Sequence, residues 1–167
     1  FAGQPRGDLV FDAGVAQHAR AAHRHQHTAF SIVGVVERKG DRAELIALLV
    51  LEAGKNRMEA DADVAEAIDF CRFHAAVMRR LGAPRTTQVV PGETNVLAWQ
   101  PRGTGVVISP WNFPLAILTG MTSAAVATGN TVVLKPSDQT PVIASHAMDL
   151  LAEAGFPPGV VNLITGR

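Results

Sequence analysis

Two short segments carry side chains that could hold a nucleotide and polarise a carbonyl group. Trp111 and Asn112 follow one short apolar run, and Lys135 and Asp138 follow the next. An amide such as Asn112 can donate to a developing oxyanion, although Asn is also a common turn former. A lysine can donate to ribose hydroxyls or phosphates, and an aspartate can accept from a ribose hydroxyl. The alternative is a surface charge beside a turn residue, and residue chemistry alone leaves both interpretations open.

The usual phosphate-binding fingerprint is missing from the first segment. Pro110 and Trp111 stand where G-x-G-x-x-G would follow the strand. Gly103 and Gly105 precede the apolar run, so they cannot cradle a pyrophosphate at a helix N-terminus. By generic motifs alone, dinucleotide binding is therefore only weakly indicated.

Cysteine and histidine offer little further chemistry. The single cysteine, Cys71, excludes an intrachain disulfide and a multi-cysteine zinc site, which favours a reducing, cytoplasmic compartment. Cys71 falls on an apolar helical stripe, so we predict a buried, inert thiol. His23 and His27, close to His18 and His25, could share a helix face and bind a metal. Because no Cys, Asp or Glu nearby completes a ligand set, we predict no metal site.

Helical patterns precede the two segments. Asp41, with Glu44 as a capping-box partner, predicts a helix that ends at Gly54. A second helix is predicted over Asp61–Leu81, before Gly82. Its apolar positions repeat at helical spacing and comprise Val64, Ile68, Cys71, Ala75 and Met78.

A hairpin and an alternating pattern follow the helices. Pro91-Gly92 predicts a turn between antiparallel strands within residues 86–100. The remainder predicts strands at 106–108, 131–134 and 160–164, separated by helices at 115–128 and 141–153. This βαβαβ order over residues 104–166 is half of a doubly wound sheet, whose strands are expected to be buried on both faces. Ligands bind such sheets at the carboxyl ends of the strands, where both candidate segments lie.

Composition excludes several classes of protein. The 167 residues have a formal net charge of zero, so neither a nucleic-acid-binding surface nor an acidic tail is indicated. The uncharged interval between Arg102 and Lys135 exceeds the ~20 residues of a membrane span. Prolines and glycines interrupt it, so we predict a buried strand, turn, helix and strand and no membrane span. The first residue is Phe, which leads us to expect residues upstream.

Three segments resemble the aldehyde dehydrogenase superfamily: SPWNFPL (109–115), GNTVVLKPSDQTP (129–141) and EAGFPPGVVNLITG (153–166). They occur in order, with 23 positions from Asn112 to Lys135. LEAGKN (51–56), EADADVAEAIDF (59–70) and VVISPWNFPLAILTGM (106–121) are similar to one branch, the L-glutamate γ-semialdehyde (1-pyrroline-5-carboxylate) dehydrogenases. The resemblance covers roughly residues 44–167 and fits residues 1–40 poorly.

The resemblance implies a Rossmann-like NAD-binding domain that lacks the glycine fingerprint. Asn112 is then the oxyanion donor, Lys135 holds the adenosine ribose, and Asp138 accepts from ribose hydroxyls. The full cofactor-binding set is Ile108, Ser109, Pro110, Trp111, Asn112, Lys135, Ser137 and Asp138. The Asp138 carboxylate should repel a 2′-phosphate, so NAD is expected, with NADP tolerated as an alternative.

The implied function is oxidation of L-glutamate γ-semialdehyde to L-glutamate in proline catabolism. The family's nucleophilic cysteine and general-base glutamate lie downstream of the matched segments, so we expect a fragment that is inactive alone. Residues 1–40 are expected to be a poorly defined segment and 41–167 a partial NAD-binding domain, with helices within 41–81.

The parent enzyme is expected to be a homo-oligomer that takes a small aldehyde and has no nucleic-acid or membrane partner. Two alternatives stay open. One is a non-catalytic nucleotide-binding or interaction module from a truncated gene. The other is an aldehyde dehydrogenase of different substrate specificity.

Overall fold

The computed structural model describes residues 39–167, which form a mixed α/β structure. A three-stranded parallel sheet has the order β3-β4-β5, and β1 and β2 form a separate antiparallel pair. The predicted βαβαβ unit, preceded by two helices and a hairpin, is therefore confirmed. The elements in chain order are α1 (Lys39–Ala53), α2 (Arg57–Leu81), β1 (Arg85–Gln88), β2 (Asn95–Leu97), β3 (Thr104–Ile108), α3 (Ala116–Ala127), β4 (Thr131–Lys135), α4 (Pro141–Glu153) and β5 (Val161–Leu163).

The starts of the first two helices differ from prediction. Helix α1 begins at Lys39, so Asp41 lies in its first turn and is not its cap. Helix α2 begins at Arg57 behind a capping box: the Asn56 side chain accepts from the Glu59 N–H at 3.0 Å, and the Glu59 carboxylate accepts from the Asn56 N–H at 3.3 Å. Asp61, the predicted start, lies inside the helix.

Helix α2 packs its apolar stripe into the core. All five predicted stripe residues are buried, including Cys71. The helix passes close to α3, because a Cβ on Gly120 would lie only 2.9 Å from the Phe70 ring. His74 Nδ1 and Ser123 Oγ, 2.9 Å apart, link the same two helices. Helix α3 is thereby fixed against α2 as well as against the sheet.

The register of the sheet places the two candidate loops side by side. β3 pairs with β4 from Thr104 opposite Thr131 to Ile108 opposite Lys135. The Asn130 side-chain oxygen aligns the start of β3, since it accepts from the N–H groups of Arg102 and Gly103 at 2.7 and 2.9 Å. Because the strands are parallel, the loops after β3 and β4 leave the same edge of the sheet.

One face of β3 is uncovered, contrary to the prediction that these strands are buried on both sides. Val107 is buried, but the neighbouring Val106 and Ile108 are 66% and 63% exposed. Successive side chains on a strand point to opposite faces, and right-handed β3-α3-β4 and β4-α4-β5 crossovers put both helices on one face. Within residues 39–167, helices therefore cover a single face of the sheet.

The hairpin is shorter than predicted but has the expected turn. Gly92 has a φ of +84°, and the Glu93 N–H donates to the Val90 carbonyl oxygen at 3.0 Å. Glycine adopts this left-handed conformation without a steric penalty. In the described part of the chain, none of the helices has the length and apolar character needed to cross a bilayer.

Candidate functional site

The loops after β3 and β4 meet at the carboxyl edge of the sheet, as predicted. Ile108 is opposite Lys135 in the register. The next residue, Ser109, donates its backbone N–H to the Lys135 carbonyl oxygen at 3.2 Å. Both loops therefore start from a fixed, hydrogen-bonded position.

The turn after β3 borders a hollow that it shares with the start of α2. Trp111, Asn112 and Phe113 line the hollow from one side, and Lys55 and Glu59 line it from the other. Asn112 is exposed, so its amide is open to a ligand. Lys135 is not among the lining residues, so the adjacency of the two loops comes from the strand register and not from this hollow.

The loop after β4 holds the second group of predicted residues. Lys135 is half-buried, and its Nζ donates to the Pro136 carbonyl oxygen at 3.2 Å. Ser137 Oγ accepts from the Gln139 N–H at 3.2 Å, which tightens the loop. Asp138 is exposed and faces the Arg167 guanidinium at 3.3 Å. Exposed ion pairs contribute about 0–1 kcal/mol, so the Asp138 carboxylate stays available to a ribose hydroxyl.

The chemistry of this edge fits the adenosine half of an NAD-type cofactor. Exposed apolar surface from Ile108 and Trp111 lies next to the polar loop after β4. The hydroxyl of Ser109, at the end of β3, is buried and has no hydrogen-bond partner within the described residues. Pro110 is exposed between them. An apolar strip flanked by an ammonium and a carboxylate can take a flat base and its ribose.

Two residues that the prediction did not include anchor the Asn112 turn from below. Asp63 is fully buried in α2, and its Oδ1 accepts from the Ala116 N–H at 2.6 Å. Its Oδ2 lies 2.8 Å from Lys55 Nζ and forms an ion pair with it. The geometry of this contact does not meet the criteria for a hydrogen bond. The same ammonium sits 4.0 Å from the centre of the Phe113 ring. The turn is thus held on the carboxyl side of Asn112, at Phe113 and at Ala116.

A third carboxylate anchors the helix after the second loop. Glu52 Oε1 and Oε2 accept from the N–H groups of Val142 and Ile143 at 2.7 and 2.8 Å. These amides belong to the first turn of α4, where the N-cap residue, Thr140, makes no side-chain cap bond. A carboxylate here also complements the positive end of the helix dipole. Glu52 therefore fixes α4 relative to α1.

One of these anchors left a signal in the sequence. Asp63 directly precedes Val64 of the apolar stripe, and a charge at a buried helical position requires a partner. Glu52 left no comparable signal, because its partners lie 90 and 91 residues further along the chain.

The thiol of Cys71 is buried and unreactive. It is 1% exposed, and burial raises the pKa of its thiol to about 12, despite a hydrogen bond with Ser123 that lowers it. The burial predicted from the stripe is confirmed. A thiol that stays protonated near neutral pH is a poor nucleophile.

Metal-binding side chains do not gather in the described part of the chain. No cluster of three or more His, Cys, Asp or Glu residues occurs there. The histidines from His18 to His27 lie outside the described residues.

The chain is similar in sequence to proteins of one known family. The sequence pattern of the aldehyde dehydrogenase family matches residues 19–167. The chain is 50% identical over 138 residues to a 1-pyrroline-5-carboxylate dehydrogenase of Bacillus mycoides (strain KBAB4), covering 83% of this chain and 26% of that protein. It is 52% identical over 137 residues to the protein of the same name from Anoxybacillus flavithermus, covering 82% and 26%.

Solved structures give the same result. A 1-pyrroline-5-carboxylate dehydrogenase from Thermus with bound NAD superimposes with a TM-score of 0.82 at 40% identity, covering 93% of this chain and 32% of that one. Proline utilization A from Bdellovibrio bacteriovorus gives a TM-score of 0.84 at 41% identity, covering 93% and 17%.

This chain spans about a quarter of the length of the relatives that it matches in sequence. The match to the family pattern nevertheless extends over most of its own residues. The chain belongs to the aldehyde dehydrogenase family.

Proposed function

We propose that this chain is part of the NAD-binding domain of an NAD-dependent enzyme that oxidises L-glutamate γ-semialdehyde to L-glutamate in proline catabolism. The observation that carries the proposal is about 50% identity to proteins named 1-pyrroline-5-carboxylate dehydrogenase. Residues 41–167 would form the partial domain, and the longer enzyme would be a cytoplasmic homo-oligomer.

The loop after β4 would bind the adenosine half of the cofactor. Lys135 and Ser137 offer donors to the ribose and phosphates, and Asp138 offers an acceptor. The edge of β3 would supply the apolar wall through Ile108, Ser109, Pro110 and Trp111. When bound, NAD supplies the hydride acceptor of the oxidation. The Asp138 carboxylate disfavours a 2′-phosphate, while the neighbouring Arg167 makes NADP tolerable.

Asn112 would act on the substrate. Its side-chain amide is exposed on the turn, and it can donate to the aldehyde oxygen as negative charge develops there. The chain's own Cys71 does not supply the nucleophile, because its thiol is buried and protonated. The attacking cysteine and the general base would come from the rest of the enzyme.

The test is Asn112→Ala in the complete enzyme that contains this segment. We expect kcat to fall by about 10²–10³, since removal of one oxyanion donor has that effect in other enzymes. Asn95→Ala, on the exposed hairpin, is the control and should leave kcat unchanged. Steady-state kinetics with L-glutamate γ-semialdehyde and a simple aliphatic aldehyde also tests the substrate. Unchanged turnover of Asn112→Ala would remove the assigned role, and a preference for the aliphatic aldehyde would remove the assigned substrate.

The 167-residue chain alone should produce no NADH from either aldehyde. Formation of NADH by the purified chain, detected by its absorbance and compared with a buffer blank, would contradict the assignment of the reactive groups to another part of the enzyme.

A further inference from the structure

The buried ion pair of Lys55 and Asp63 contacts the turn that carries Asn112 and the helix residue that directly follows this turn. Asp63 receives the N–H of Ala116, directly after the turn, at 2.6 Å. Lys55 places its ammonium 4.0 Å from the ring of Phe113, within the turn. The ammonium and Asn112 also line the same hollow. We propose that Lys55 and Asp63 are positioning residues that set where the Asn112 amide lies, an inference that rests on the proposed function.

Burial makes this pair a rigid support. The side chains of Lys55 and Asp63 are 10% and 0% exposed. Such a pair keeps its geometry only if its remaining hydrogen-bonding groups are satisfied, because a buried charge without a partner is very unfavourable. Here the additional partners are the Ala116 amide and the Phe113 ring. Movement of the turn would therefore remove these partners from the buried charges. Conversely, loss of the ion pair would remove two contacts that hold the turn in place.

A second ion pair, between α1 and α2, provides a matched control. Arg42 Nη2 lies 2.7 Å from Asp61 Oδ1, and their side chains are 32% and 52% exposed. Asp61 lies two positions before Asp63 in α2, but it pairs with Arg42 of α1 at the surface. Asp61→Asn therefore removes the same type of charge from the same helix without removing a support of the turn.

The experiment uses the complete enzyme with Lys55→Met, Asp63→Asn, Asp61→Asn and Asn112→Ala, together with Lys55→Met/Asn112→Ala. We expect Lys55→Met and Asp63→Asn to lower kcat about 10- to 100-fold, as a displacement of about 1 Å of a catalytic group does. The Kd for NAD, measured by calorimetry, should stay close to the parent value. The double variant should have the same kcat as Asn112→Ala, because a residue that acts through Asn112 has nothing further to remove.

Multiplicative losses in Lys55→Met/Asn112→Ala would overturn the inference, and so would a kcat loss of equal size in Asp61→Asn. If a single variant fails to fold, Lys55→Met/Asp63→Asn replaces it, since that double variant leaves no unpaired buried charge and keeps an acceptor for Ala116. Its kcat should still be reduced while its circular dichroism matches the parent. Parental kcat in this neutral variant would show that the charges do not position Asn112.

A fluorine probe separates this inference from the proposed function. With 5-fluorotryptophan incorporated, the ¹⁹F resonance of Trp111, assigned by its loss in Trp111→Phe, reports on the turn without turnover. It should shift in Lys55→Met and stay in place in Asp61→Asn. If Asn112→Ala leaves kcat intact while Trp111 shifts as expected, the proposed function fails and the support of the turn stands. If Trp111 does not shift, the support itself is wrong.

Discussion

The residues of the site are of two kinds: exposed residues that a ligand can reach, and buried residues that hold the exposed ones in position. Asn112 and Asp138 are exposed, whereas Asp63 is fully buried. Sequence motifs point to the first kind, because such residues follow strand ends. Asp63 was visible only as a charge on an apolar helix face, where burial requires a partner. The identity of that partner, Lys55, depends on how α1 and α2 pack, which the sequence pattern does not state.

Cys71 gives a prediction at the residue scale. Because the thiol is 1% exposed and the pKa is raised to about 12, alkylation by iodoacetamide at pH 8 should be slow in the folded chain and fast in denaturant. Mass spectrometry of the labelled protein measures the rate. Rapid labelling of the folded chain would show that the thiol is accessible.

The raised pKa of Cys71 also sets the direction of a pH effect on stability. The unfolded thiol ionises near pH 9.0, whereas the folded thiol keeps its proton up to about pH 12. The unfolded state therefore binds fewer protons in this interval, and the free energy of unfolding should fall as pH rises from 9 towards 12. Urea denaturation of Cys71→Ser should show less of this decline. An equal decline in both proteins would contradict the linkage.

The order and type of the elements were predictable, because each has a strong local pattern. The starts of α1 and α2 were not, whereas α3 and α4 begin within one residue of the predicted positions. Asp41 and Asp61 are good capping residues by type, yet Asn56 caps α2 and both aspartates lie within helices. Several residues of capping type occur in this stretch, and residue type alone does not choose between them. The burial of β3 was also predicted wrongly at Val106 and Ile108, because an apolar run does not show whether helices cover one face or two.

Glu52 gives a prediction at the element scale. Glu52→Ala leaves the Val142 and Ile143 amides at the start of α4 without their carboxylate. We expect the free energy of unfolding to fall by about 1–2 kcal/mol, as for the loss of other helix caps. Urea denaturation followed by circular dichroism measures this. Glu44→Ala, an exposed position of the same helix, is the control. Equal stabilities of the two variants would mean that the cap contributes nothing.

The whole molecule combines a neutral charge with an uncovered apolar strip. The formal net charge is zero at pH 7. Val106 and Ile108 lie on the open face of the sheet, and Trp111 follows at its carboxyl edge. Low net charge and adjacent exposed apolar side chains both reduce solubility. The chain as a whole therefore has a surface typical of one that normally lies against something else.

The open face should bind an apolar dye. We expect the fluorescence of 8-anilinonaphthalene-1-sulfonate to rise on addition of the folded chain and to fall in Val106→Thr/Ile108→Thr, which shortens the apolar strip while keeping β-branched side chains. Val89→Thr, on the hairpin and 89% exposed, is the control for a scattered apolar residue. Equal dye binding by the parent and the double variant would place the apolar surface elsewhere.

The two capping carboxylates impose a direction on assembly during synthesis. Asp63 leaves the ribosome well before its amide partner, which follows 53 residues later, and Glu52 precedes its two partners by 90 and 91 residues. The acceptor oxygens for the amino ends of α3 and α4 are therefore already present in the chain when those helices emerge. We expect each later helix to dock with its positive amino end against a carboxylate made earlier, which would favour the correct placement of the two crossover helices.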